Sequence, residues 1–199
     1  MKFQKTILIL FSCTATLSVG CGPTYVRDTD KPDVDEYAMS TGLDKKDLER
    51  LFEENLESLM KSATVSNWSR MEKQPRIAIF PIANETSEHI SSQLAALLSK
   101  IETRFVNGGM AEVISREQQN LLIAEVEKHR GGAFDPANSA TYGRQLGAQY
   151  FVTGKIYDSA ERTDGERRVQ YMLFMQLVDV ETGAIRWQNE AQLTKALVK

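Results

Sequence analysis

Cysteine is nearly absent from this sequence: there are two in 199 residues, and neither lies beyond position 21. A disulfide framework and a four-cysteine zinc site are both excluded. Histidine is equally scarce. His89 and His129 stand in separate segments, neither in an HExxH or CxxC context, so they read as surface or capping residues and no metal set is legible. The G-x-S-x-G elbow, the G-x-x-x-x-G-K-S/T loop and the G-x-G-x-x-G turn are all missing, and with them the usual nucleophile and phosphate cradles. A basic excess is lacking too: 24 Lys and Arg stand against 27 Asp and Glu, for a net charge of −3. A nucleic-acid binder needs a basic face to neutralise phosphates, so nucleic acid is not an expected partner. No apolar run reaches the roughly 20 residues of a spanning helix.

What is present is an ordinary globular composition, 42% hydrophobic and 26% charged, which excludes disorder over the whole chain. The first twenty residues read as an address. Lys2 and Lys5 precede the apolar run Thr6-Ile7-Leu8-Ile9-Leu10-Phe11, and small residues lead to Gly20-Cys21. Charged start, short apolar stretch and small-residue exit are the parts of a secretory signal. An ending in Gly-Cys resembles the lipobox of bacterial lipoproteins, in which the cysteine is acylated. Ser18 stands where that pattern has leucine, and Leu17 lies one place further back. Cys13 is the rival acceptor, but cleavage there leaves a very short apolar core.

The expected organisation is a signal over residues 1–20, acylated Cys21 with a tether over 21–40, and one globular domain over 41–199. An ordinary secretory segment without acylation is the alternative. Loss of Lys2 and Lys5 with the signal takes the net charge from −3 to −5. A mature chain with no free thiol suits an oxidising compartment. Gly22, rather than an aspartate resembling an inner-membrane retention signal, favours the outer membrane. The tether, GPTYVRDTDKPDVDEYAMS, has two prolines, five acids and no periodicity. It spans at most about 65 Å stretched, and roughly 25 Å as a flexible coil.

The remainder reads as α/β (α+β), an open mixed sheet packed with helices. Thr41 can cap a helix carrying Leu48, Leu51, Phe52, Leu56, Leu59 and Met60 at three-four spacing. Arg76–Phe80 is a short strand that Pro81 should stop. A second helix carries Leu94, Leu97, Leu98, Ile101 and Phe105 and ends near Gly108-Gly109. Ala111–Ile114 is a strand. Ser115 caps a helix to His129, and Asp135-Pro136 opens another to Leu146. Tyr150–Tyr157 is a strand of aromatic and β-branched residues. Asp164-Gly165 turns the chain into a long strand, Val169–Val180, and Glu181-Thr182-Gly183 turns it again into an edge strand, Ala184–Leu193, with Trp187 packed on the sheet. Carboxylate neighbours such as Glu53-Glu54 and Glu125 with Glu127 lie on solvated helices, and paired catalytic acids need one of them buried. The expectation is a protein that is not an enzyme, with no cofactor, no metal and no small-molecule substrate.

The segment PRIAIFPIANETSEHI (75–90), then Val113-Ile114-Ser115-Arg116, then LGAQYFVTGKIYD (146–158) with DVETGAIRW (179–187), resembles the penicillin-binding protein activator LpoB family. The similarity covers roughly residues 43–195. The Leu-Gly-Ala-x-Tyr-x-Val-Thr-Gly stretch is also similar to the N-terminal domain of TolB and to curli-type secretion lipoproteins. The resemblance implies a TolB N-terminal-domain-like fold. It also implies an outer-membrane lipoprotein whose periplasmic domain binds the regulatory domain of a class A penicillin-binding protein and stimulates peptidoglycan synthesis. A lipoprotein subunit of an envelope assembly, secretion or transport complex is the alternative it leaves open. The tether is shorter than that of the well-known activators, so either the partner extends outward or this member has a different one. Two segments are candidate partner contacts. One is the loop Asn84 to His89, chiefly Asn84, Thr86 and His89, where Asn84 or Thr86 can also serve as a plain helix cap. The other is the turn bearing Arg162, Arg167 and Arg168, which can also be a plain solvated hairpin tip.

Overall fold

The computed structural model describes residues 38, 40–115, 119, 144, 147–163 and 166–197. The signal, Cys21 and nearly all of the tether lie outside them, as do His129, the Asp164-Gly165 turn and most of the two helices expected between Arg116 and Leu146. Gln119 is helical and buried, and its Nε2 donates to Ile114 O at 2.6 Å.

The first helix, α1 (Lys45–Met60), has its cap at Asp44, three residues after Thr41, because Asp44 and Asp47 close a reciprocal cap. Asp47 N–H donates to Asp44 Oδ1 at 2.9 Å and Asp44 N–H to Asp47 Oδ2 at 3.0 Å, satisfying two otherwise orphaned donors. Its buried face carries Leu48, Leu51, Phe52, Asn55, Leu56 and Leu59. A short helix that the spacing did not announce, α2 (Ala63–Trp68), is capped by Ser62 and buries Val65 and Trp68.

The strand β1 (Arg76–Asn84) runs through Pro81 instead of stopping there. Its parallel register with β3 (Tyr150–Thr163) goes from Ile79↔Val152 to Ile82↔Gly154, with two intervening residues on β1 against one on β3. Pro81 falls in that irregularity, where its missing N–H costs no ladder bond. After α3 (Ser91–Asn107) comes the two-residue β2 (Glu112–Val113). The long hairpin of β3 and β4 (Glu166–Asp179) pairs without interruption from Tyr150↔Asp179 to Thr163↔Glu166. β3 thus outlasts its expected end at Tyr157, because main-chain pairing with β4 continues where the apolar pattern fades. β5 (Ile185–Leu197) likewise continues past Leu193.

Among the described residues the sheet order is β2-β1-β3-β4-β5, with β1 parallel to both neighbours and β3, β4 and β5 antiparallel. This is an open mixed sheet with helices, an α+β fold. Alternation along the strands divides the core. Ile77, Ile79, Val152, Ile156, Leu173, Met175 and Leu177 pack with α1, α2 and α3 on one side. Ala78, Phe80, Phe151 and Val178 form a smaller cluster with Ala148 and Val180 on the other. Trp187 is half-buried against the larger cluster, and its Nε1 donates to Ser58 Oγ at 3.1 Å. Among the described residues no helix is long and apolar enough to cross a membrane.

Candidate functional site

The loop after β1 is tied to itself. Asn84 Oδ1 accepts from Thr86 N–H at 3.1 Å and from Thr86 Oγ1 at 2.7 Å. Asn84 Nδ2 donates to Glu88 O at 2.7 Å, and Glu88 N–H donates to Thr86 Oγ1 at 3.1 Å. This side-chain-to-backbone ring replaces the cap that Asn84 or Thr86 was expected to supply. α3 instead begins behind Ile90 with no side-chain cap bond. Asn84 and Thr86 are therefore half-buried scaffold, and the groups turned to solvent are Glu85, Ser87 and His89.

Glu85 anchors the loop to the next strand. Its N–H donates to Ile156 O at 2.8 Å and its Oε2 lies 3.3 Å from Lys155 Nζ. Lys155 Nζ also stands 5.2 Å from the centre of the Tyr157 ring, and Tyr157 OH donates to Glu190 Oε2. That bond raises the Tyr157 phenol above its ordinary value and lowers the Glu190 carboxyl. The alternation of Lys155 and Tyr157 places both on one face of β3. Glu190 joins them through the register Lys155↔Phe174↔Glu190, which the sequence does not display.

Beside this polar row lies a groove of about 680 Å³, lined chiefly by Pro81, Ala83, Phe151, Phe174, Val178 and Ile185. Its floor depends on Gly154: a Cβ there would sit 2.4 Å from Phe174 O. Only glycine lets the two backbones approach so closely.

The arginine segment is a separate feature. Arg162 pairs with Arg167 across the hairpin, and Arg168 Nη2 bonds Glu161 Oε2. Both Arg167 and Arg168 are exposed. Asn84 is level with Ile156, so Arg162 lies roughly 20 Å further along β3 at about 3.3 Å per residue. The two candidate contact segments therefore lie toward one end of the sheet, and Glu88 of the loop extends as far as Tyr171, level with Asp158.

On the helix-covered face, Glu88 connects the loop to the start of the domain. Tyr171 OH donates to Thr41 O at 2.9 Å and also reaches Glu88 Oε1 at 3.4 Å. Burial first, then the negative charges of Glu88 and Asp158, push the Tyr171 phenol up to about 12. Lys195 Nζ donates to Gly42 O at 2.8 Å, to Asp44 Oδ2 at 2.9 Å and to Asp47 Oδ2 at 2.6 Å. Burial lowers the Lys195 pKa, but the two carboxylates outweigh it and the net shift is upward. None of this cluster is legible before folding, since its members come from opposite ends of the chain. Among the described residues no group of three or more His, Cys, Asp or Glu is placed to hold a metal ion.

Residues 47–193 match the family model described as "Peptidoglycan-synthase activator LpoB". No curated protein matches the chain. Among solved structures, the LpoB C-terminal domain from Salmonella enterica is similar at 15% identity and a TM-score of 0.49, covering 74% of this chain and 98% of that one. The NMR structure of Escherichia coli LpoB has 15% identity and a TM-score of 0.42 over 94% of this chain and 89% of that one. TolB from Acinetobacter baumannii has 18% identity and a TM-score of 0.35, covering 60% of this chain and 23% of that one.

Proposed function

This chain belongs to the peptidoglycan-synthase activator LpoB family, and from that premise we propose that it is an outer-membrane lipoprotein, acylated at Cys21, that binds and activates a class A penicillin-binding protein in the periplasm. The match of residues 47–193 to the family model carries this reading. Activation requires no chemistry of its own. Binding the active conformer of the synthase more tightly than the inactive one shifts the population by the ratio of the two affinities. The partner-facing end is the one that presents His89 with its neighbours Glu85 and Ser87, scaffolded by Asn84 and Thr86, and further along the exposed Arg167 and Arg168 beside Arg162. A rigid, self-bonded loop suits this role because little side-chain entropy is lost when it docks.

The test uses the full chain in detergent with a purified class A synthase. Co-purification and a faster glycan-polymerisation rate are expected. Absence of both overturns the reading. Acylation is checked separately, by an intact-mass shift that disappears in Cys21→Ala. Reach is checked in cells: a flexible insert between Gly22 and Ser40 should preserve or raise activation, whereas deleting residues from this stretch should abolish it.

A further inference from the structure

The segment that leads into the domain is clamped at consecutive carbonyls. Thr41 O accepts from Tyr171, itself 2% exposed, and Gly42 O accepts from Lys195, whose side chain is 7% exposed. Asp44 and Asp47 hold the same ammonium from the other side. Glu88 packs directly against this backbone, since a Cβ on Gly42 would stand 2.9 Å from Glu88 Oε1. The same Glu88 closes the loop ring, its N–H on Thr86 and its carbonyl on Asn84. A continuous chain of contacts therefore runs from residues 40–44, through Tyr171 and Glu88, to Asn84.

We propose that residues 40–44 are a strap that sets the order of the Asn84–Glu88 loop, so that lifting the strap loosens the loop and occupying the loop tightens the strap. With the strap seated, the Glu88 carboxylate is covered by the Gly42 backbone and faces the Tyr171 hydroxyl. With it lifted, water reaches that carboxylate, and Glu88 no longer fixes the far end of the ring. The reciprocal effect follows from linkage, because both sites bias one equilibrium. A pull on the N-terminal segment would then be felt at the loop. This coupling is independent of the synthase reading and holds whatever the loop binds.

Amide hydrogen exchange on the full chain carrying Cys21→Ala tests it. Lys195→Met removes the clamp on Gly42 without touching the loop. Exchange at Thr86 and Glu88 should rise about 3- to 10-fold, the range that one lost hydrogen bond produces, a local change separate from the global loss that Ile101 and Phe105 in α3 report. If the loop amides accelerate only as far as the α3 amides do, global destabilisation is being read, and Gly42→Ala decides. That variant presses a methyl group on Glu88 and leaves Lys195 and Tyr171 in place. Faster exchange at Thr86 and Glu88 in Gly42→Ala supports the coupling. Faster exchange at Gly42 or at position 42 alone, with the loop amides unmoved in both variants, overturns it.

Discussion

Asn55 is a polar side chain with 0% exposure in the middle of an apolar helix face, and it ties three elements together. Its Nδ2 donates to Leu51 O within α1 and to Leu173 O in β4, both at 3.0 Å, while its Oδ1 accepts from Asn189 Nδ2 in β5 at 3.2 Å. Asn55→Ala removes all three bonds. Leu51 O keeps its helical partner, so its loss is small. Leu173 O stays in the core without the amide donor, and Asn189, half-buried, regains part of its bonding from water. Two lost bonds at about 1 kcal/mol each, plus the exposed penalty of a buried carbonyl and a small cavity, come to about 2–4 kcal/mol. That is a large share of the ~5–15 kcal/mol typical of a domain. Asn55→Leu fills the space and should cost less, about 1–2 kcal/mol. Asn55→Leu with Asn189→Leu removes donor and acceptor together and should recover most of that loss, because paired apolar replacement leaves fewer orphans. Urea unfolding followed by circular dichroism, with an unchanged slope, reads all three. If Asn55→Ala lies within about 0.5 kcal/mol of the parent, or the double variant is worse than the sum of the singles, the staple does not carry the load assigned to it.

The junction of strap and helix should be pH-sensitive. Burial raises the Asp44 carboxyl, but the Asp47 N–H and then Lys195 outweigh it and hold it below its ordinary value. Its stabilisation is complete above the unfolded value of about 3.9 and lost as pH falls through the lower folded value. Urea midpoints between pH 5 and pH 3 should therefore fall, and fall less in Lys195→Met, which itself costs about 2 kcal/mol at pH 7 by leaving Asp47 without its cation. An equal slope in parent and variant would refute the pairing. Gly154→Ala should lower stability by about 1–3 kcal/mol, since its Cβ collides with Phe174 O and the β3–β4 pair must spread; thermal unfolding measures it, and a neutral result refutes the close approach. Arg167→Ala with Arg168→Ala should weaken synthase binding about 5- to 10-fold with an unchanged unfolding midpoint, read by calorimetric titration. Equal affinity would remove the hairpin from the proposed interface.

The elements legible beforehand were those with strong local periodicity. α1 and α3 appear where three-four spacing put them, and β3, β4 and β5 where aromatic and β-branched runs put them. The misreadings have one cause each. Pro81 forbids a ladder donor, but a bulge with β3 makes that donor unnecessary, and a bulge belongs to two strands rather than one. Thr41 is a competent cap by type, yet the reciprocal pair Asp44–Asp47 satisfies more donors, and Tyr171 claims the Thr41 carbonyl. Asn84 and Thr86 stand out in the sequence as candidate contacts, but their polar atoms turn inward to build the loop, leaving Glu85, Ser87 and His89 outside.

The sequence by itself determined the apolar faces of the helices, the alternation of the strands and the family. These depend on residue type at short spacing or on patterns read along one line. Only the tertiary structure decided which charges meet. Lys195 finds Asp44 and Asp47, Tyr171 finds Thr41 and Glu88, and Asn55 finds Asn189, each across more than 80 residues of chain. A buried polar group must find a partner or lose its hydration uncompensated, and that requirement names no partner until register and packing bring one within 3 Å or so.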